Sequence, residues 1–569
     1  MSVQTQQQPA TKPGGTSCRR VLIVGGVAGG ASCAARLRRL DEALDIVVFD
    51  RGPYVSFANC GLPYYVGNVI ADERKLLVAS ADTFRRRFNV TVHTDTEVVA
   101  IDRDARAITV REVNGGATRV EPYDMLVLSP GAAPIRPALP GVDLPGVFAV
   151  RSIPDSRRIR AWIDERQAKT AVVVGGGFIG LEMVENLIHR GLSLTVLEKL
   201  RQVMPPLDPE MAAPLMEHLE AEGVQLNLGD GLARIEQSDG RGLLVVSESG
   251  ARLPADLVIL AIGVRPEAEL ARNAGLRIGE RGGVVVDAQM RTSDPHVWAV
   301  GDVVEVHDVL TGQETVLPLA GPANRQGRVA AECIAGRATR FRGVQATAVV
   351  GVLGMTAAST GASEKGLRRA GVSGFEKVYL HPGHHAGYYP GAQPIHLKLL
   401  FSVTDGRILG AQAVGTQGVE KRIDVIATAM QFNGTVHDLA EAELCYAPQF
   451  GAAKDPVNLA GMIAENLLNG DMPVADWEQL GSTDALVVDV REPDEFAAGH
   501  LPGALNLPLS QMRQRYGELP REREIWVCCR VGQRAYYVTR FLAQKGYRPR
   551  NLLGGYTTYE ALRAAGLVS

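Results

Sequence analysis

The chain has 569 residues and a formal net charge of -3 at pH 7, and 46% of its residues are hydrophobic. This length predicts three or four domains, and the small net charge gives no reason to expect binding to nucleic acid or to an anionic membrane surface. No uninterrupted apolar run approaches the ~18 residues that a membrane span requires, because GGG at 175–177 and Glu182 interrupt the longest candidate, residues 172–187.

The first 18 residues are rich in Gln, Thr and Gly and contain no apolar core, which predicts a disordered tail and not a signal peptide. The chain contains seven cysteines, an odd and scattered set. In a long chain without a signal peptide, this pattern predicts reduced thiols and a cytoplasmic location. Cys33, Cys333 and Cys445 lie in apolar or helical contexts, so we expect them to be buried.

A nucleotide-binding pattern opens the ordered part of the chain. The apolar strand VLIV at 21–24 leads into GGVAGG at 25–30 and then a helix, and the next strand ends at Asp50. Glycines permit the tight turn, the helix N-terminus faces a pyrophosphate, and the carboxylate binds a ribose. Val27 stands at the middle glycine position of this fingerprint.

The same pattern recurs in the second quarter of the chain. The strand AVVV at 171–174 leads into GGGFIG at 175–180, a complete fingerprint, and the following strand ends at Glu198. A carboxylate here accepts a hydrogen bond from a ribose 2′-hydroxyl and repels a 2′-phosphate, which favours NADH over NADPH. Lys199 and Arg201 are basic neighbours that act in the opposite direction.

Two further segments complete the plan. MLVLSPGA at 125–132 closes the first fold, and VWAVGD at 297–302 returns to it after the second. The sequence therefore predicts an α/β protein with two Rossmann-like folds, the second inserted in the first. This arrangement suits a flavin together with a nicotinamide coenzyme.

Cys60 follows the first fold in a distinctive context. It ends the segment SFANC at 56–60, and residues 61–70 contain no second cysteine. A lone thiol beside a flavin must find its redox partner in another molecule, which points to exchange with a sulfur substrate.

At this point the chain resembles the pyridine nucleotide-disulfide oxidoreductases, and within them the coenzyme A-disulfide reductases. The matching segments are SFANC at 56–60, HAGYYPG at 385–391, KRIDV at 421–425, and YAP at 446–448 with KD at 454–455. The resemblance implies FAD on the first fold, NAD(P)H on the second, and a homodimer with an active site shared between subunits.

The resemblance also assigns the cofactor contacts. The predicted FAD contacts are Gly25, Val27, Ala28, Gly30, Asp50, Arg51, Ser129, Gly131 and Asp302. The predicted NAD contacts are Gly175, Gly177, Ile179, Gly180, Glu198 and Gly263. No metal site is predicted.

Coenzyme A is the third expected ligand. The resemblance implies a mixed disulfide between Cys60 and CoA, and roles for Tyr388 and Tyr446 in proton management at the partner subunit's active site. The family pattern for CoA contacts carries onto Ser32, Arg36, Arg39, Ser56, Asn59 and Lys454. Phe88 and Asn324 depart from it, since some members have a lysine and a histidine there. Arg36 and Arg39 are three residues apart on a predicted helix, so they share one face and suit phosphate binding.

The last ninety residues carry a separate pattern. The strands ALVV at 485–488 and IWVC at 525–528 flank an acidic segment, and the second strand delivers CRVGQR at 529–534 before a helix. This resembles a rhodanese, or sulfurtransferase, domain. Backbone N–H groups, the helix dipole and Arg534 favour an anion on Cys529, which suits a persulfide. Cys528 is expected to be packing.

The predicted domain limits are 1–18 for the tail, 19–150 with 280–340 for FAD binding, 151–279 for NAD(P)H binding, 341–470 for dimerisation and 477–569 for the rhodanese domain. The predicted function is NAD(P)H-dependent reduction of CoA disulfide, CoA persulfide or polysulfide through Cys60 and bound CoA, with Cys529 handling sulfane sulfur.

Two alternatives stay open. One is an NADH oxidase or peroxidase whose cysteine cycles through sulfenic acid, although the CoA-type motifs and the rhodanese loop count against it. The other is a non-reductive sulfur carrier in which Cys529 is the active thiol, against which the complete second fingerprint argues.

Overall fold

The computed structural model describes residues 18–238 and 242–568. The predicted disorder of residues 1–17 falls outside the described residues. Within them, no helix is both long enough and apolar enough to cross a membrane.

The first nucleotide fold is built on a five-stranded parallel sheet. Four of its strands are almost continuously apolar and buried, as expected where helices cover both faces, whereas the edge strand Thr91–His93 is partly exposed. In spatial order they are Val297–Ala299, Met125–Leu128, Arg20–Val24, Asp45–Phe49 and Thr91–His93. The helices of this unit are Ala28–Leu40, Ala81–Phe88 and Ala320–Ile334, and a three-stranded antiparallel sheet comprises Thr96–Asp102, Ala107–Glu112 and Thr118–Pro122.

The second nucleotide fold repeats this architecture within the first. Its parallel strands, in spatial order, are Gln225–Leu228, Ser193–Glu198, Thr170–Val174, Leu257–Leu260 and Val147–Phe148. Its helices are Ile153–Arg166, Phe178–His189 and Pro209–Ala221, and its antiparallel sheet comprises Leu232–Gln237, Leu243–Ser247 and Arg252–Ala255.

Short elements join the two nucleotide folds. The strands Ala132–Pro134 and Val264–Pro266 pair with each other, and Val284–Val285, Val304–His307 and Glu314–Thr315 form a small sheet. The short helices are Asn59–Gly61, Leu62–Val66, Glu73–Leu76 and Glu269–Asn273.

The third unit is a five-stranded antiparallel sheet covered by helices. Its strands, in spatial order, are Ala348–Val352, Met355–Gly361, Ile408–Gly415, Ile395–Ser402 and Phe375–Leu380. Its helices are Glu364–Arg369, Val419–Gln431, Val436–Glu441 and Pro456–Leu468.

The C-terminal unit is a third parallel sheet of five strands. In spatial order these are Val474–Ala475, Arg548–Leu552, Glu524–Cys528, Leu486–Asp489 and Leu505–Asn506. The helices are Trp477–Gln479, Pro493–Ala497, Leu509–Arg515, Tyr516–Glu518, Gln533–Gln544 and Gly555–Ala564. The predicted α/β class, with two nucleotide folds and a further α/β unit at the C-terminus, is confirmed.

A buried ion cluster joins the second nucleotide fold to the antiparallel sheet. The fully buried ammonium of Lys398 lies 2.9 Å from a carboxylate oxygen of Asp208, 2.5 Å from Glu210 and 2.7 Å from Glu364. A buried charge is tolerated only when it is paired and hydrogen-bonded. The cluster therefore holds the two units in one relative position.

The C-terminal unit packs on one edge of the antiparallel sheet. Nε2 of His381 lies 2.8 Å from the hydroxyl oxygen of Thr558, and a Cβ added to Gly554 would lie 2.8 Å from Cβ of Tyr379. Both contacts are at the end of the strand Phe375–Leu380, whereas the strand Ala348–Val352 forms the opposite edge. Four strand spacings of about 4.8 Å put these edges roughly 19 Å apart.

The cysteines outside the predicted sites fall into three environments. Cys33 is buried as expected and Cys333 is half-buried. The expectation of burial is wrong for Cys445, which is exposed because it lies in the loop between the helices Val436–Glu441 and Pro456–Leu468.

Candidate functional site

The first glycine turn is sterically closed against side chains. Gly25 has a φ of 89°, and a Cβ at this position would lie 2.1 Å from the carbonyl oxygen of Ser129. A Cβ on Gly30 would lie 1.9 Å from the carbonyl oxygen of Gly25. The Asp50 carboxylate accepts a hydrogen bond of 2.9 Å from the Gly26 N–H. The predicted acidic residue therefore also stabilises the turn itself.

The second glycine turn has the same construction. Gly175 has a φ of 108°, and a Cβ there would lie 2.4 Å from the carbonyl oxygen of Ala261. A Cβ on Gly180 would lie 2.0 Å from the carbonyl oxygen of Gly175. The buried Glu198 carboxylate accepts a hydrogen bond of 2.7 Å from the Gly176 N–H. The two fingerprints read from the sequence thus form equivalent turns.

Both turns open onto one cavity of about 1780 Å³. Neither of the helices that follow the turns has an acidic side chain in its first turn, so their N-termini suit phosphate groups. The predicted site residues that line the cavity are Val27, Ala28, Ser32, Arg36, Arg39, Ser56, Asn59, Cys60, Gly175, Gly177, Ile179, Glu198, Gly263 and Asp302. The features fit two dinucleotides bound end to end.

Other predicted cofactor residues lie behind this lining. Gly25, Gly30 and Gly180 shape the turns, as does the Ser129 carbonyl. A Cβ on Gly131, where φ is 81°, would contact the guanidinium of Arg151 at 3.7 Å. The side chain of Arg51 is held by an ion pair of 2.6 Å with Glu267.

Cys60 occupies a helical turn, Asn59–Gly61, at the wall of the cavity. Its side chain is exposed to the cavity, yet the surrounding protein raises the pKa of the thiol, first by burial and then through the carboxylates of Glu182 and Asp302. A second group at the cavity must therefore favour the thiolate when Cys60 reacts.

Glu182 is a site residue that the sequence reasoning missed. It lines the cavity, and burial together with the neighbouring Glu185 raises its pKa to about 7. A carboxyl with this pKa can gain or lose a proton at neutral pH. The available signal was a pair of carboxylates, Glu182 and Glu185, in an otherwise apolar helical segment.

The predicted CoA contacts divide into two groups. Ser32 donates a hydrogen bond to Asn324, and Arg36 forms an ion pair of 2.6 Å with Glu332, so both side chains already have protein partners. Arg39 is exposed at the cavity wall. Lys454 is exposed and does not line the cavity of its own chain.

Tyr388 and Tyr446 form a pair away from this cavity. Their hydroxyl groups lie 2.6 Å apart, and the hydrogen bond to Tyr388 raises the pKa of Tyr446. Both side chains are exposed in the single chain, 75% and 47% respectively. Paired phenols on a surface are available to a second subunit.

The loop at 529–534 has the geometry expected for an anionic sulfur. Cys529 is buried, and the Gly532 N–H donates to its Sγ at 3.1 Å, directly before the helix Gln533–Gln544. The Arg534 guanidinium makes two hydrogen bonds of 2.7 Å to Glu495 and lowers the pKa of that carboxyl to about 2. The Arg534 charge is therefore largely paired.

Cys528 differs from its neighbour. It is fully buried, and burial raises the pKa of its thiol well above the ordinary value. It packs in the apolar core beside Trp526 and Leu552, as the sequence predicted.

Comparisons with known proteins agree with this geometry. Residues 19–327 match the pyridine nucleotide-disulphide oxidoreductase family, residues 347–455 match its dimerisation domain, and residues 476–562 match the rhodanese-like domain. Coenzyme A disulfide reductase of Staphylococcus epidermidis is 35% identical over 78% of this chain and 100% of its own length.

Solved structures cover almost the whole chain. Reduced Bacillus anthracis CoADR-RHD has a TM-score of 0.94 and 45% identity, covering 96% of this chain and 98% of its own. The NAD-dependent persulfide reductase from A. fulgidus has a TM-score of 0.89 and 36% identity, covering 95% and 100%.

A more distant pair covers the first three units only. The water-forming NADH oxidase from Lactobacillus brevis, bound to NADH, has a TM-score of 0.76 and 26% identity over 80% of this chain and 99% of its own. An engineered variant bound to NADPH gives the same TM-score and identity over 79% and 99%. The chain belongs to the FAD-dependent pyridine nucleotide-disulphide oxidoreductases and carries a dimerisation domain and a C-terminal rhodanese domain.

Proposed function

We propose that this protein is an NADH-dependent reductase of CoA disulfide, CoA persulfide or polysulfide that reacts through Cys60. The observation that carries the proposal is a lone thiol exposed to the cavity that both nucleotide turns share. The CoA disulfide reductase and persulfide reductase relatives support the reaction class. FAD bound at the first turn would supply the two electrons from NADH.

The sulfur chemistry balances at a single cysteine. The Cys60 thiolate attacks one sulfur of CoA disulfide, which forms a Cys60–CoA mixed disulfide and releases one CoA thiol. Two electrons then cleave the mixed disulfide, and two protons complete Cys60 and the second CoA thiol. With CoA persulfide as the substrate, the same two electrons and two protons yield CoA and hydrogen sulfide.

Protons reach this sulfur from two directions. Glu182 lies on the cavity of the same chain, and its raised pKa allows proton exchange at neutral pH. Tyr388 and Tyr446 of one subunit would serve the Cys60 site of the other, which their exposure on the single chain supports. The active enzyme is therefore a homodimer.

CoA would bind along the helix Ala28–Leu40. Ser32, Arg36 and Arg39 line the cavity on this helix, and Asn59 and Ser56 flank Cys60. Arg36 is engaged by Glu332, so Arg39 is the arginine on this helix best placed for a phosphate of CoA. Lys454 would contribute from the other subunit.

We propose that a carrier moves sulfur between the two sulfur sites. The C-terminal unit contacts one edge of the antiparallel sheet, and the strand Ala348–Val352 at the other edge lines the cavity of Cys60. Roughly 19 Å of sheet lies between the edges. We infer that CoA carries sulfane sulfur from Cys529 to a Cys60 thiolate as a persulfide.

NADH is the proposed coenzyme because the Glu198 carboxylate stands at the ribose position. The NADPH-bound oxidase carries Gly-to-Ala, Asp-to-Ala, Ala-to-Arg, Met-to-Ser and Pro-to-Arg substitutions. Their order and intervals match Gly180, Glu198, Lys199, Leu200 and Pro205 in this chain. The glycine, the acid and the proline of the NADH-type pattern are all retained here.

The decisive experiment is anaerobic NADH oxidation with CoA disulfide, CoA persulfide or polysulfide. We expect turnover in the wild type and in Cys333→Ser, and a loss of at least a hundredfold in Cys60→Ser. Undiminished turnover in Cys60→Ser contradicts the proposal. Rapid NADH consumption in air, without a sulfur substrate, would identify an oxidase instead.

A further inference from the structure

One lysine beside the second glycine turn is paired with a carboxylate from another part of the same domain. Nζ of Lys199 donates a hydrogen bond of 3.1 Å to Oε1 of Glu248. Both side chains line the cavity, next to the carboxylates of Glu198 and Asp230. Lys199 directly follows Glu198, so it stands beside the ribose position of the coenzyme.

The position of Glu248 is determined by the backbone around it. Its N–H donates a hydrogen bond of 2.7 Å to the carbonyl oxygen of Gly231. A Cβ on Gly231 would lie 2.6 Å from the carboxyl carbon of Glu248, so the carboxylate lies directly over this glycine. The glutamate is therefore placed over this loop by the fold.

The charges at this end of the cavity oppose a phosphate. A phosphate monoester carries about two negative charges at neutral pH, and Glu198, Asp230 and Glu248 are all acidic. Lys199 is the cation at the position where the NADPH-bound oxidase acquired an arginine. Here, however, its charge is directed to Glu248.

We propose that Glu248 is a coenzyme-selecting residue, which pairs with Lys199 and so withholds it from the 2′-phosphate of NADPH. This inference rests on the proposed use of NADH and names a determinant of that preference beyond Glu198. Two effects add together, since Glu248 both neutralises the lysine and repels the phosphate.

The test compares kcat/KM for NADPH and NADH in Glu248→Gln, with ferricyanide as the electron acceptor. Because the variant lacks one exposed charge, we expect kcat/KM for NADPH relative to kcat/KM for NADH to rise by about three- to tenfold. The value of kcat/KM for NADH itself should stay within about twofold of the wild type. Lys199→Gln in the same background should reduce the gain to the part that comes from the lost repulsion between Glu248 and the phosphate. Glu236→Gln removes a half-buried carboxylate of the same domain that lies outside the cavity, and it is the matched control.

An unchanged ratio in Glu248→Gln overturns the proposal, as does an equal gain in Glu236→Gln. A gain that is undiminished by the added Lys199→Gln change overturns the role of the pairing. Ferricyanide takes electrons without any sulfur substrate, so an error in the sulfur substrate would leave this ratio unaffected. Flavin absorbance of each purified variant verifies that the holoenzyme is intact.

Discussion

The hydroxyl groups of Tyr388 and Tyr446 lie 2.6 Å apart and share a hydrogen bond on the exposed surface of the chain. Two phenols in contact act as one proton donor, because the hydrogen bond from one hydroxyl sets the acidity of the other. The pairing makes an otherwise ordinary surface tyrosine a candidate for catalysis in a neighbouring subunit.

We expect Tyr388→Phe and Tyr446→Phe each to lower kcat for CoA disulfide by about a hundredfold or more, the lower end of the usual range for loss of a proton donor. The double variant should be no slower than the slower single variant, because the two residues act as a unit. Steady-state kinetics over a range of pH measures this. Tyr389→Phe is the neighbouring control, and strictly additive losses would contradict a shared role.

Glu182 makes stability depend on pH. Its pKa rises from 4.5 to about 7 in the folded protein, so the folded state retains a proton that the unfolded chain releases. The stabilisation from this carboxyl is complete below about pH 4.5 and is lost as the pH rises through 7. Glu182→Gln should therefore be more stable than the wild type by about 2 kcal/mol at pH 8 and by little at pH 5.

Urea unfolding of the flavin-loaded enzyme at the two pH values measures this difference. Glu165→Gln removes an exposed carboxylate and should leave the pH dependence unchanged. If Glu182→Gln and the wild type have the same free energy of unfolding at both pH values, Glu182 is ionised in the folded protein at both.

The two adjacent cysteines of the C-terminal domain should have different roles, Cys529 in sulfur transfer and Cys528 in the packing of the core. Cys529→Ser is expected to abolish sulfur transfer from a persulfide donor while retaining NADH-dependent reduction of CoA disulfide, because Cys529 accepts the Gly532 N–H at the start of a helix. Cys528→Ala should keep sulfur transfer and lose about 1 kcal/mol of stability from the buried core. Sulfur transfer that is lost in Cys528→Ala and retained in Cys529→Ser would refute the role of Cys529.

Lys398 should be essential to the junction between domains. Lys398→Met removes the ion pairs of the buried carboxylates Asp208 and Glu210 and one of those of Glu364, and it is expected to lower the free energy of unfolding by about 3–5 kcal/mol. Lys377→Met is the matched control, since this lysine pairs with Glu364 from a partly exposed position and should cost about 1 kcal/mol or less. Equal losses, measured by urea unfolding, would contradict a special role for Lys398.

Much of the candidate site was predictable because its parts are local in sequence. GGVAGG at 25–30 and GGGFIG at 175–180 each form their turn within one strand–turn–helix unit. Likewise, CRVGQR at 529–534 places Cys529 between a strand and a helix. Short-range backbone geometry decides these features, so residue types and spacing were enough.

Pairings between distant segments were not predictable. Glu182 lines the cavity of Cys60, although the two residues are 122 positions apart in the sequence. Arg534, expected to favour an anion on Cys529, also forms two hydrogen bonds with Glu495. A charge in an apolar segment marks Glu182 as unusual, but neither periodicity nor composition reveals which distant segment each residue meets.

By itself, the sequence determined that this protein has two glycine turns, one lone thiol near the first and one cysteine loop near its end. Only the tertiary structure decided which charges face one another: Glu182 beside the cavity of Cys60, Lys199 against Glu248, and Lys398 among three carboxylates. The physical reason is range, since a turn depends on its own backbone, whereas an ion pair depends on where the fold brings two remote segments together.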